Sequence, residues 1–330
     1  MLTRYIGIDL GTSNVLIGIK KKGIILNEPC LIAVNIETNE VIAVGKEAKD
    51  IYGREPQNVK VINPLKDGVV ADFELAEIML NKLINKTKGL KSIIRPVVVI
   101  GCPNNITKVE ENTLKELAEK VSARKVIIEK ESILALLGAG MNIEEAKANA
   151  VVDIGGGTTN IAVVSLNGIV TSKTIKISGN YFDAEIIKYI KSNYKLSIGK
   201  ITAEEIKINF VDLIKPLKKE KLEVKGKNIL TGLPDKIEIN QVEIKEALED
   251  SINKLGKEII KVLEQTPEEL SGDINEKGII LTGGGSKIKG LNEVLEDKLN
   301  IPILTTSNPE TCVIEGILIL LEKKKRRKRH

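Results

Sequence analysis

The sequence predicts an α/β protein of two similar lobes, each built on a mixed sheet, and three observations lead there. The first is an internal echo. Ile6-Gly7-Ile8-Asp9-Leu10-Gly11-Thr12-Ser13-Asn14-Val15-Leu16-Ile17 is matched in form by Val151-Val152-Asp153-Ile154-Gly155-Gly156-Gly157-Thr158-Thr159-Asn160-Ile161-Ala162, with Asp9 and Asp153 separated by 144 residues. Each copy is an apolar strand ending at Asp, a Gly/Thr/Ser turn and a second apolar strand. The second observation is an alternation of helical and strand patterns after each copy; meanders pair antiparallel and strand-helix-strand crossovers pair parallel, so the sheets are mixed. The third is length: 330 residues exceed what one hydrophobic core usually serves.

In order, the first meander closes with a strand at Gly23-Ile24-Ile25, and the spacing then predicts a helix over 73–85, a strand over 97–101, a helix over 107–121, a strand over 125–129 and a helix over 132–140. The second meander closes at Gly168-Ile169-Val170. A helix over 183–192 follows, then an irregular block over 194–239 that reads as an inserted subdomain. The pattern resumes with a helix over 243–265, a strand over 278–282 and helices over 291–299 and 309–321. The expected organisation is a first lobe over 1–143 with a small insertion at about 33–73, a second lobe over 144–322 with its insertion at about 194–239, and a basic tail over 323–330.

Composition narrows the function. With 42% hydrophobic and 29% charged residues, the chain has the makings of a folded globule. No apolar run approaches the roughly 20 residues that span a bilayer, and no signal-peptide stretch opens the chain, so a cytoplasmic protein is expected. Cys30, Cys102 and Cys312 offer neither disulfide nor metal spacing. The one histidine is His330, which excludes histidine triads and HExxH zinc sites. The net charge of +5 comes from the run Lys323, Lys324, Lys325, Arg326, Arg327, Lys328 and Arg329; without it 43 basic residues face 45 acidic ones. Eight scattered aromatics make no base-stacking platform, so nucleic acid is not expected as a partner.

Alone, Gly11-Thr12-Ser13-Asn14 is compatible with a plain hairpin turn. Paired with Gly155-Gly156-Gly157-Thr158-Thr159, it describes two turns able to face each other across a cleft and offer backbone N–H groups and hydroxyls to a polyphosphate. Asp9 and Asp153 would then lie beside phosphates. Anions repel there unless a divalent cation intervenes, so a Mg²⁺ held largely through water is the expected mediator. Leu281-Thr282-Gly283-Gly284-Gly285-Ser286 again puts glycines directly after a strand, either as a strand-to-helix turn or as a close backbone approach to base and ribose. Neither the GxxxxGK[ST] loop nor GxGxxG occurs.

These turns resemble the superfamily of actin, the seventy-kilodalton heat-shock chaperones and the sugar kinases. Asn27-Glu28-Pro29, Ala43-Val44-Gly45-Lys46-Glu47-Ala48, Pro64-Leu65-Lys66-Asp67-Gly68-Val69-Val70-Ala71-Asp72-Phe73-Glu74, Thr202-Ala203-Glu204-Glu205-Ile206-Lys207 and Thr311-Cys312-Val313 narrow the resemblance to the bacterial actin MreB family, over about residues 5–321. The resemblance implies an actin-like fold of duplicated RNase H-like lobes around a nucleotide cleft, and a Mg²⁺-dependent ATPase. Gly11, Thr12, Ser13 and Asn14 match the first phosphate turn, Gly155 to Thr159 the second, and Gly283, Gly284 and Gly285 the adenosine turn. Glu204 and Lys207 match nucleoside contacts; Thr202 and Glu205 read as a capping box. Glu131 and Thr158 are the catalytic matches, Glu131 orienting the attacking water. There this chain departs from the family's Glu-Glu-Pro, reading Glu129-Lys130-Glu131-Ser132. Asn180 departs likewise from an acid, leaving Asp183 as a further candidate near the metal.

The resemblance also implies head-to-tail filaments in paired protofilaments, for which the helix over 107–121 with Val109 is the candidate contact, together with binding to anionic lipid at the inner face of the cell membrane and to membrane proteins of the cell-shape machinery. Ile93 and Ile94 stand where that family carries a membrane-inserting loop, or serve as strand-entry packing; Lys323 to Arg329 would add electrostatic attraction. A chaperone ATPase and a sugar kinase share the two lobes. No residues for a sugar pocket or its base can be named, and the MreB-like runs favour the filament.

Overall fold

The computed structural model describes residues 5–87, 95–121 and 123–326. The first lobe begins with the meander β1 (Tyr5–Leu10), β2 (Asn14–Ile19) and β3 (Gly23–Pro29). An inserted three-stranded sheet follows: β4 (Ile32–Asn35), β5 (Val41–Val44) and, after α1 (Lys46–Ile51), β6 (Val59–Ile62). A hairpin of β7 (Leu65–Lys66) and β8 (Val69–Val70) leads to α2 (Phe73–Lys86). Then come β9 (Val97–Cys102), α3 (Lys108–Lys120), β10 (Lys125–Lys130) and α4 (Glu131–Gly138). The second lobe repeats the meander as β11 (Asn149–Ile154), β12 (Thr159–Ser165) and β13 (Gly168–Ile175), followed by α5 (Gly179–Tyr194). Its insertion holds β14 (Leu196–Ser197), α6 (Lys200–Asn209), β15 (Lys221–Asn228) and β16 (Pro234–Asn240). The lobe continues with α7 (Gln241–Leu263), α8 (Glu268–Lys277), β17 (Ile279–Thr282), α9 (Leu291–Leu299) and β18 (Ile303–Thr305), and the chain ends its described course in α10 (Cys312–Arg326).

The two main sheets have equivalent orders, β10-β9-β1-β2-β3 and β13-β12-β11-β17-β18, each antiparallel through its meander and parallel at its crossovers. Period-two alternation sorts the buried apolar residues of the first sheet between two cores. Ile6, Ile8 and Leu10 face a core with α2 and α3, whereas the neighbouring Leu16 and Val99 face a second core. In the second sheet Val152, Ile154, Ile161 and Val163 likewise pack on α5 and α7, while Val151, Ala162 and Val164 join that shared core. The shared core is filled by α4 and α10. They approach closely because Gly138 and Gly316 lack side chains: a Cβ on either would collide with the backbone of Cys312 or Leu134 respectively.

α10 also lies against β1, where Gly7 leaves room for Ile317. The sequence assigns this helix to the second lobe by chain order, but in the structure it is the common wall of both sheets, because its apolar stripe Val313, Ile314, Ile317 and Leu321 is buried between them. α8 and β18 lack a sequence signal. α8 buries only Ile274, and β18 has three residues, too few to show a period.

Candidate functional site

The two glycine turns lie where β1 passes to β2 and β11 to β12, so the duplicated meanders bring them face to face on the floor of a cleft of about 360 Å³. They touch. A Cβ on Gly156 would collide with the Ser13 side chain, and one on Gly157 with Thr12. Glycine is required here by the close approach of chain to chain. The first turn is braced from its own lobe: Thr12 Oγ1 accepts from Gly68 N at 2.9 Å, and Asn63 Nδ2 donates to Thr12 O at 2.6 Å. The second is braced by the start of α5, where Gly179 N and Asn180 N donate to Gly155 O and Gly156 O at 3.0 and 2.9 Å.

Three carboxyl groups converge above the turns: Asp9 at the end of β1, Asp153 near the end of β11 and Glu131 at the start of α4, all lining the cleft. Burial and the Asp153 charge push the Asp9 carboxyl up to about 7. Burial pushes Asp153 up to about 6, although Thr282 Oγ1 donates to it at 2.8 Å. Glu131 is held well above the usual carboxylate range by burial and by the Asp9 and Asp153 charges, opposed by a hydrogen bond from Asn160 and by the Lys130 charge. Such a cluster favours a cation. Among the described residues no group of three or more His, Cys, Asp or Glu is arranged to hold a metal alone. A Mg²⁺ at Asp9 and Asp153 therefore fits only with water and phosphate oxygens completing its shell.

The other expected residues divide. Gly11, Thr12, Ser13, Asn14, Gly155, Gly156, Gly157 and Thr158 line the cleft. Thr159 does not: it is fully buried and its hydroxyl donates to Ile177 O at 2.5 Å, because strand alternation turns it away from Thr158. Gly283, at φ 82°, and Gly285 are packed against Ile154, where a Cβ would collide; only Gly284 faces open space. Two of the three glycines are therefore required by packing on β11, and Gly284 alone leaves backbone open to the cleft. Lys207 reaches the cleft, donates to Gly179 O at 3.0 Å and pairs with Asp183 at 2.7 Å. Asp183, expected near the metal, instead lies in an adjoining pocket with Lys207 as its counter-ion. Glu204 pairs with Lys49 of α1 at 3.2 Å, across the cleft mouth. The expected capping box fails: α6 starts at Lys200 after Gly199, so Thr202 lies inside the helix.

The sequence reading missed Lys49 and Asn160. Lys49 carries no local signal, since its partner is 155 residues away. Asn160 sits inside the echo, where its polarity against Leu16 was the available clue. Of the membrane residues, Ile93, Ile94, Arg327, Lys328 and Arg329 lie outside the described residues. Lys324, Lys325 and Arg326 continue α10, and Lys323 pairs with Glu144 at 2.8 Å. Among the described residues no helix is long and apolar enough to cross a membrane.

A two-lobed mixed-sheet fold closing two glycine turns over paired aspartates defines an actin-like protein. The family model for MreB/Mbl protein matches residues 3–329. The chain is 48% identical to the cell shape-determining protein Mbl of Bacillus subtilis strain 168, over 98% of this chain and 97% of the relative. It is 40% identical to the cell shape-determining protein MreB of Escherichia coli K12, over 96% and 92%. Among solved structures, MreB5 of Spiroplasma citri bound to AMPPNP superposes with a TM-score of 0.94 at 38% identity, covering 100% of this chain and 99% of that one. The MamK double helical filament shares the fold, with a TM-score of 0.80 at 22% identity over 97% and 99%. The chain belongs to the MreB/Mbl family.

Proposed function

We propose that this protein binds Mg²⁺–ATP in the cleft, hydrolyses it, and assembles into filaments at the inner face of the cell membrane that govern cell shape. The observation that carries the reading is the convergence of Asp9, Asp153 and Glu131 on two opposed glycine turns. Relatives named for cell shape, the MreB5 structures bound to AMPPNP and ADP, and the MamK filament support it.

The residues have separable tasks. Gly11 to Asn14 and Gly155 to Thr158 present amides and hydroxyls to the phosphates. Asp9 and Asp153 would hold a Mg²⁺ ion through water, and that ion would supply charge neutralisation for the phosphoryl oxygens. Glu131 accepts a hydrogen bond from the attacking water, orienting it toward the terminal phosphorus, and the Thr158 hydroxyl lies at the same floor. Lys207 and Gly284 face the nucleoside side. Beside Glu131, Lys130 points its ammonium to Pro103 O at 3.4 Å, and Ser132 is buried under Asn104 Nδ2 at 2.8 Å. The exposed Val109 at the start of α3 is the candidate contact between protofilaments, and the basic run after Leu321 the candidate contact with anionic lipid.

Phosphate release, sedimentation with and without ATP and anionic liposomes, and melting with Mg²⁺–ATP test the reading. Glu131→Ala is expected to lower turnover on the order of 100-fold while the Mg²⁺–ATP melting shift persists. Wild-type protein that melts identically with and without saturating Mg²⁺–ATP, or never sediments as polymer, refutes it.

A further inference from the structure

A polar row crosses the second sheet below the cleft. Asp153 on β11 is directly opposite Asn160 on β12 and Thr282 on β17, and Asn160 is directly opposite Thr174 on β13. Residues in register project from the same face, so Thr174, Asn160, Asp153 and Thr282 form one line of side chains. The duplicated position in the first sheet is Leu16, 144 residues earlier, opposite Asp9 and packed in the shared core. The echo thus retains its aspartate in both copies and changes the residue facing it from apolar to amide.

Asn160 is almost fully buried, and every polar atom of its side chain is committed. Its Oδ1 accepts from Thr174 Oγ1 at 2.7 Å and from the backbone N–H of Asn104 at 3.4 Å. A backbone N–H is only a donor, which fixes the amide with Nδ2 turned the other way. Nδ2 donates to Glu131 Oε2 at 2.6 Å. Glu131 sits at the first position of α4, half-buried, and this is the side-chain bond that ties it to the opposite lobe. One oxygen held by a hydrogen bond leaves Oε1 in a defined direction toward the cleft.

We propose that Asn160 is a positioning residue for hydrolysis: its amide, oriented by Thr174 and Asn104, holds the Glu131 carboxylate from the second lobe so that its free oxygen meets the attacking water. This rests on the ATPase reading above and adds to it a dependence on lobe arrangement. Because Glu131 and Asn160 belong to different sheets' surroundings, separation of the lobes lengthens the 2.6 Å bond between them. Glu131 is then released and hydrolysis slows while nucleotide stays bound.

The experiment is a double-mutant cycle with single-turnover phosphate release and Mg²⁺–ATP affinity as parallel readouts. Asn160→Leu copies the residue of the first lobe; Asn160→Asp keeps the shape and removes the donor, and serves if the leucine variant does not fold. Each is expected to slow turnover about tenfold or more, with affinity changed less than about threefold, since misplacing one group costs rate rather than binding. In a Glu131→Ala background the same substitutions are expected to have no further effect, because Asn160 acts only through Glu131. An equal fractional loss in both backgrounds makes Asn160 a scaffold residue and overturns the assignment. Unchanged turnover in both variants of an active protein overturns it too. A wild type that binds Mg²⁺–ATP and never hydrolyses it removes the ATPase reading and this assignment together.

Discussion

Burial of Asp9 and Asp153 carries a cost in stability whose sign can be measured. Both carboxyls have folded values raised above the ordinary 3.8, to about 7 and about 6, mainly because burial disfavours their charged form. A rise from 3.8 to about 7 corresponds to about 4 kcal/mol for Asp9 once it is ionised. The folded protein binds more protons than the unfolded chain between these values, so stability falls as pH rises through them. The destabilisation is absent below about pH 4 and complete above about pH 7. Asp183 and Glu131 are shifted in the same direction, and the sequence's one histidine is residue 330, so no imidazole partner complicates this window. Urea unfolding of nucleotide-free protein in excess chelator, at steps from pH 5 to 8, is expected to show stability falling by a few kcal/mol. Asp9→Asn removes the larger contribution: at pH 7.5 it is expected to be more stable than wild type without ligand, with a flatter pH profile. It is also expected to gain less from Mg²⁺–ATP, because the cation's counter-charge is gone. Wild-type stability that rises from pH 5.5 to 7.5, or an Asp9→Asn variant less stable than wild type at pH 7.5 without ligand, refutes the electrostatic reasoning.

Two further outcomes follow from single contacts. The Lys49–Glu204 pair joins α1 of one insertion to α6 of the other across the cleft mouth, partly exposed on both sides, so its contribution is on the order of 0.5 kcal/mol. Glu204→Lys is expected to speed release of a fluorescent ATP analogue about two- to fivefold by stopped flow, with release restored by adding Lys49→Glu; no change in either variant would mean the pair does not latch the cleft. Gly316→Ala is expected to destabilise by about 3 kcal/mol, because a Cβ there would collide with the backbone of Leu134 and force α4 from α10; chemical denaturation at wild-type stability would contradict that packing.

Most elements were legible because both lobes carry strong local signals. The first two strands of each meander are largely apolar on both faces, as in a sheet between two helical layers, and α3 opens with a Thr107–Glu110 capping box. α7 buries Ile244, Leu248, Leu255 and Ile259 at helical spacing. What stayed hidden depends on partners remote in sequence. That α10 belongs between the sheets is decided by Gly138 and Gly316, whose meaning lies in the opposing helix rather than in their own neighbourhood. Thr202-Ala203-Glu204-Glu205 satisfied the letter pattern of a cap, yet α6 starts at Lys200, which leaves Glu204 half-buried and paired with Lys49.

The site shows the same division at finer scale. Glycine turns and strand-end aspartates are readable because they recur at the same offsets in both copies of the echo. Side chains that orient other side chains obey no such offset. Asn160, Thr174 and Thr282 are neighbours only through register, and register is set by three strand pairings. The echo nevertheless carried usable information in its mismatches. Where a duplicated sequence keeps a residue, both copies share a place, as Asp9 and Asp153 do in lining the cleft. Where it exchanges Leu16 for Asn160 at a position buried in both lobes, burial of an amide is expensive unless hydrogen-bonded, so the exchange implies a partner in one copy alone. That partner is Glu131 of the first lobe, so the asymmetry between otherwise equivalent lobes is a hydrogen bond made between them.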